Sequence, residues 1–453
     1  MTALSAPNPL KLRPLSLKPL ALAALLALGV SGGAQAQSLV ELYDMARGFD
    51  TTVQAARAQY EANLAKADQA KAGLLPQAGL GAGVNWANAD SSAAAGSRSA
   101  DSQNLALSAS QPLYRPANRL TNEQGQLSID VAKAQLDAAE QDLIVRTAQA
   151  YFDVVAAQDT LTFVLAQKAA VAEQLASAKR NFEVGTTTVT DSREAQARYD
   201  LVLAQEIAAS NDLRVKKLAL DQLVGKDNTS PKPLVSAVAL EPVQPADPEA
   251  WVMQAQREHP LVRQAIRGFD IAELEVKKAQ AGHKPTLDLV GQYEVARGPS
   301  TTMPTAGNVR TNTASVGLQF NLPLYAGHAI ENRVKETVAL VEKARADRET
   351  ALRNIGQATR SAYFGVLSGL SQVKALEAAE ASSQSALDAN QLGYQVGVRI
   401  NIDVLNAQSQ LFQTKRDLAQ ARYNVLVGQL RLKQAGGLLK AEDLQPIDAL
   451  LAR

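Results

Sequence analysis

The chain has no cysteine, and aromatic residues fill only 4 % of its 453 positions. The first absence excludes disulfides, thiolate catalysis, cysteine metal sites and the cysteine that bacterial lipid anchors require. The second, beside abundant Ala, Leu, Gln and Lys, points to extended helical packing rather than one thick core. A dominant charge is also missing: 46 basic against 45 acidic residues leave +1, which argues against nucleic acid as a partner. Catalytic signatures are lacking too. Gly79-Leu80-Gly81-Ala82-Gly83 fails the dinucleotide pattern, because its last glycine would have to be Val84. There is no phosphate loop and no nucleophile elbow, and His259, His283 and His328 stand isolated. No enzyme, cofactor or metal is expected.

What is present begins with an exported-protein leader. Lys11, Arg13 and Lys18 precede an apolar run from Leu20 to Val30 and the small-residue segment Ala34-Gln35-Ala36. A run of about ten residues is too short to span a bilayer, so residues 1–36 read as a signal peptide. Its removal would leave 43 basic and 45 acidic residues, a net charge of −2. No later run of eighteen apolar residues exists, so any membrane-spanning part must be β-structure.

The rest of the chain says nearly everything twice, about 210 residues apart. Gln111-Pro112-Leu113-Tyr114 recurs as Leu322-Pro323-Leu324-Tyr325, Ala150-Tyr151-Phe152 as Ala362-Tyr363-Phe364, and Phe182-Glu183-Val184-Gly185 as Tyr394-Gln395-Val396-Gly397. This predicts a first repeat over 37–225, a proline-rich linker over 226–247, a second repeat over 248–437 and a tail over 438–453. Each repeat opens on a helix. Ser38 and Glu41 form a capping box for one running to about Leu75, and Asp247-Pro248 starts one that breaks near His259-Pro260. The period then changes to two. Leu80, Ala82, Val84 and Trp86 share one face of a strand, as do Leu287, Leu289, Tyr293 and Val295, and each hairpin carries a polar connection, 87–103 or 297–313. Proline-free stretches follow, with a seven-residue seam at Ile129, Leu136, Leu143, Ala150, Ala157, Val164, Val171 and Ala178. A helix from Asn118 to Glu183 would measure about 100 Å. Gly185 and Gly397 mark the reversals.

Four strands per chain cannot close a barrel, which needs at least eight, so the barrel must be shared between chains. By these features the chain resembles the TolC family of outer-membrane efflux and secretion ducts over nearly its whole length. The resemblance implies an α+β membrane protein: a homotrimeric twelve-stranded β-barrel in outer-membrane lipid, continued across the periplasm by a long α-helical coiled-coil barrel. It implies a passive duct for drug efflux or type I secretion, recruited by a periplasmic adaptor and an inner-membrane ABC or RND transporter. It also implies gate links between Tyr394 and Arg399 on one coil and Thr190 and Asp191 on a neighbouring one. Asp403 and Asn406 match the two carboxylate rings of the family's pore constriction, the second being neutral here. Val184-Gly185-Thr186 and Val396-Gly397-Val398 match its adaptor-contact tip. Asp191 and Asp403 also suit helix capping, and the two roles are compatible. A periplasmic coiled-coil adaptor or structural stalk is the rival reading, although it would lack duplicated hairpins.

Overall fold

The computed structural model describes residues 36–89, 98–235, 239–299 and 307–452. The leader expected over residues 1–36 lies outside them except for Ala36. The duplication is realised element by element. The first half runs α1 (Leu39–Phe49), α2 (Thr51–Ala72), β1 (Gln77–Ala89), β2 (Arg98–Tyr114), α3 (Pro116–Glu183) and α4 (Val189–Val224). The second runs α5 (Pro248–Glu258), α6 (Pro260–Gln280), β3 (Thr286–Pro299), β4 (Asn308–Asn321), α7 (Ala329–Gln395) and α8 (Asn401–Ala435), followed by a short α9 (Gln445–Asp448). The long helices α3 and α7 hold 68 and 67 residues, each about 100 Å of rod.

Two expectations change. The helix expected to run unbroken from Ser38 towards Leu75 breaks at Asp50, whose extended backbone ends α1 while its carboxylate accepts from Val53 N–H at 2.9 Å and caps α2. Arg146 holds the same carboxylate at 2.9 Å, so a contact from a distant helix helps fix the break. In the second half the break falls at His259-Pro260, as expected, with His259 Nδ1 accepting from Leu261 N–H. The strands also reach further than the alternation suggested. Asn88 pairs with Ser99, and Val309 with Gly298, so the hairpin connections are shorter than 87–103 and 297–313. Backbone pairing continues past the point where side-chain patterning stops.

All four strands form one antiparallel sheet in the order β1-β2-β3-β4. The long helices leave it and pack as antiparallel pairs, α3 with α4 and α7 with α8. Six seam residues of α3 are buried: Leu136, Leu143, Ala157, Val164, Val171 and Ala178. The thickest packing lies midway along the rods, where Leu39, Leu42 and Tyr43 of α1 meet Leu143, Tyr151 and Phe152 of α3 and Tyr423 and Leu426 of α8. Phe152 stacks on Tyr423 with ring centroids 5.5 Å apart.

The repeated tyrosines hold the linker. Tyr151 donates its hydroxyl to the carbonyl of Lys232 at 2.8 Å, and Tyr363 donates to Ala246 at 2.6 Å. The tail closes the same belt: Leu444, Ile447 and Leu451 are buried there, and Asp448 accepts from Leu39 N–H at 2.8 Å.

Candidate functional site

The sheet has two chemically different faces. Residues opposite one another across a ladder share a face. The pairings Leu80↔Leu107, Ala82↔Leu105, Leu107↔Tyr293, Leu105↔Val295, Leu289↔Leu318 and Leu287↔Phe320 therefore build one apolar surface across all four strands. It is exposed: Leu80 is 72 % and Val316 82 % accessible. A bulge between Pro112 and Tyr114 turns Tyr114 onto this face opposite Leu287. The other face carries Gly79, Gly81, Ser108, Gln292, Ser315 and Gly317, and most of these border an open hollow of about 610 Å³. Apolar residues 78–86 of β1 cover about 27 Å along the strand, or about 20 Å of height at the usual barrel tilt. The outer edges of β1 and β4 pair with no other strand among the described residues.

At the junction of sheet and rods, Arg115 grips Asp288 through two bonds of 2.7 and 2.6 Å. Beside it Glu275 of α6 meets Lys278, Gln124 of α3 and Arg333 of α7. Burial alone would raise the Glu275 carboxyl, but these hydrogen bonds outweigh it and hold the group down at about 2.

The far end of the rods holds the two reversals expected at Gly185 and Gly397. After α3, Gly185 takes a left-handed conformation with φ of +80°, and Thr186 N–H returns to the carbonyl of Asn181 at 2.8 Å. After α7, Gly397 does the same with φ of +79°, and Val398 N–H returns to Gly393 at 2.9 Å. A side chain at either glycine would strain the turn, which is why glycine ends both helices. Val184, Val396 and Val398 project outward, Val398 being 76 % exposed.

The two turns then differ. Thr188 caps α4 and forms a reciprocal box with Asp191, whose carboxylate accepts both the Thr188 N–H at 3.0 Å and the Thr188 hydroxyl at 2.9 Å. The equivalent cap of α8 is Ile400, which has no side-chain acceptor. Asp403 is thereby left out of a cap and lies 3.7 Å from Arg399. Tyr394 packs beside Leu387, Val404 and Leu411, and its hydroxyl accepts from Asn181 at 3.3 Å. Within one chain, then, Arg399 and Tyr394 contact Asp403 and Asn181 rather than Asp191 and Thr190. Asn406 accepts from Arg198 of α4 at 2.7 Å.

A family model described as outer membrane efflux protein matches residues 42–226 and 251–438. The chain belongs to the outer membrane efflux protein family. It is 34 % identical over 437 residues to the outer membrane protein TolC of Escherichia coli K12, covering 94 % of this chain and 87 % of that one. It is 29 % identical to the alkaline protease secretion protein AprF of Pseudomonas aeruginosa, covering 92 % and 88 %. Among solved structures, the outer membrane protein VceC of Vibrio cholerae superposes with a TM-score of 0.76 over 88 % of this chain and 96 % of that one, at 20 % identity. In this family the chain is an outer-membrane exit duct that extends into the periplasm.

Several residues around these turns leave no mark in the sequence. Asn181 and Arg198 carry no motif, and only the packing of α3 and α4 against α7 and α8 reveals their partners. Gly393 is a third: a side chain there would meet Arg399 Cγ at 2.6 Å, so its absence lets Arg399 fold back over the turn. Gln174 and Asn401 also hydrogen-bond between α3 and α8. The repeat offset of 212 residues, which equates Thr188 with Ile400, was a readable signal for the asymmetric caps.

Proposed function

We propose that three copies close their sheets edge to edge into a twelve-stranded barrel, with apolar faces in lipid and polar faces around a water-filled lumen. The observation that carries this reading is a sheet apolar on one face across all four strands, with both outer edges unpaired among the described residues and rods of about 100 Å leaving its base. An open edge cannot stay unpaired in hydrocarbon, and twelve strands leave room for a conduit.

The rods continue the conduit towards the inner membrane and close at the tip. There Tyr394 and Arg399 of one coil meet Thr190 and Asp191 of a neighbouring one, and Asp403 forms a carboxylate ring at the constriction with Asn406 one turn further. The exposed Val184-Gly185-Thr186 and Val396-Gly397-Val398 turns receive a periplasmic adaptor, which couples the duct to an inner-membrane ABC or RND transporter. Likeness to TolC and to a protease secretion protein supports an exit path for drugs, proteins or both.

The test combines extraction with conductance. The protein should need detergent for release, run as an oligomer that withstands mild denaturation, and open channels in planar bilayers. An epitope inserted between β1 and β2 should be labelled on intact cells. Release by osmotic shock as a soluble rod would instead favour the stalk reading and overturn this one.

A further inference from the structure

At the loop end of the sheet the apolar face ends in a pair of like charges. In the ladder between β3 and β4, Arg297 lies directly opposite Arg310. Arg297 shares its face with Val295 and Tyr293, and Arg310 shares its face with Ala314 and Val316, so both guanidinium groups rise from the apolar surface. The row continues through Gln103 of β2 to Val84 of β1, and Trp86 stands two residues further along β1 on the same face. Both arginines are exposed. Among the described residues neither forms an ion pair, and the one side-chain bond of the pair runs from Arg310 Nε to Asn312 Oδ1 at 3.3 Å. Among the described residues Asp101, one row further out on β2, is the acidic residue on this part of the face, and it pairs with neither.

Directly opposed like charges destabilise a ladder. Their side chains leave strands whose Cβ atoms lie about 5 Å apart, close enough for two planar forks to share one phosphate. We propose that Arg297 and Arg310 bind the phosphate of an anionic glycolipid in the outer leaflet, a phosphorylated lipid A-type molecule whose acyl chains lie along Leu289, Tyr293 and Val316. The inference rests on the duct reading, because it needs the apolar face to meet lipid and the hairpin ends to face outward. On that reading three features meet at the lipid–water boundary: the last apolar rows of β3 and β4, two cations just beyond them that form no ion pair among the described residues, and an aromatic side chain of the belt type at Trp86 one row further out on β1. Arginine suits the site better than lysine, since its fork takes two phosphate oxygens at once.

The test is a titration of the detergent-solubilised full-length oligomer with fluorescent lipid A. Parallel arms use lipid A stripped of both phosphates and competition by inorganic phosphate. The unaltered protein should bind phosphorylated lipid A at least about tenfold more tightly than R297Q/R310Q, with R297K/R310K between them. Dephosphorylated lipid A should bind the unaltered protein no better than lipid A binds the double glutamine variant. Millimolar inorganic phosphate should compete poorly, because it lacks the apolar part. R345Q, on an exposed part of α7, should bind like the unaltered protein. Equal binding by the double glutamine variant, or by dephosphorylated lipid A, overturns the inference while a stable oligomer leaves the duct reading standing. Failure of the unaltered protein to form a detergent-stable oligomer overturns both.

Discussion

Asp191 and Asp403 each stand six residues after the turn glycine of their repeat, yet Asp191 is locked into a capping box with Thr188 while Asp403 is not. The difference comes from one substitution between the repeats, Thr188 against Ile400, because isoleucine offers no acceptor to a helix N-terminus. The two repeats thus carry equivalent carboxylates, one held by a capping hydroxyl and the other beside Arg399 at 3.7 Å.

Asp403 should therefore govern ion selectivity. Three such groups near a trimer axis attract cations, so Asp403→Asn should cut the cation-to-anion permeability ratio severalfold in single-channel recordings. Asn406→Asp should raise that ratio only slightly, because Arg198 already sits on that side chain and would neutralise the new charge. Pairing it with Arg198→Ala should give the larger gain. An unchanged reversal potential in Asp403→Asn removes Asp403 from the constriction.

For Asp191 the same channel assay separates two roles. Thr188→Ala removes the cap and should cost about 1 kcal/mol of local stability. Asp191→Ala should cost a similar amount and also raise conductance, as should Arg399→Ala, since each removes one side of the proposed link. If Thr188→Ala opens the channel as much as Asp191→Ala does, capping accounts for Asp191 and the link is refuted.

Acid should loosen the junction below the barrel. The Glu275 carboxyl is held at about 2 in the folded protein against an ordinary value near 4.5, so its contribution is complete above pH 4.5 and fades as the pH falls towards 2. Glu275→Gln should lower stability at pH 7 by about 3 kcal/mol and flatten the loss between pH 4.5 and 2. Thermal unfolding followed by circular dichroism across that range checks both effects.

The linker clamps give a fourth expectation. Tyr151→Phe keeps the ring packed against Phe152 but removes the hydroxyl that donates to the Lys232 carbonyl, which should cost about 1–2 kcal/mol. Tyr363→Phe should do the same at Ala246. The two sites lie in separate hydrophobic clusters, so their effects should add in a double variant. Limited proteolysis within 226–247 should quicken in each variant, and unaltered cleavage rates would show that the hydroxyls do not hold the linker.

Much of this architecture is legible in the residues alone, because periodicity is a local property. Alternating apolar residues at 80–86 and 287–295 specify half-apolar strands, the seam from Leu136 to Ala178 specifies a long packed helix, and Gly185 and Gly397 specify reversals that only glycine adopts freely. The repeat offset alone equates Asp191 with Asp403. Tertiary structure decided whatever depends on partners distant in sequence. The break at Asp50 is stabilised by Arg146, nearly a hundred residues away, and the strands outrun their patterning because pairing energy resides in the neighbouring backbone. Arg297 meets Arg310 only through the register of β3 and β4, and Asn406 finds Arg198 only because α4 packs on α8. A hydrogen bond or ion pair between distant segments leaves no periodic trace in the chain; it exists once folding has brought the two side chains within about 3 Å of each other.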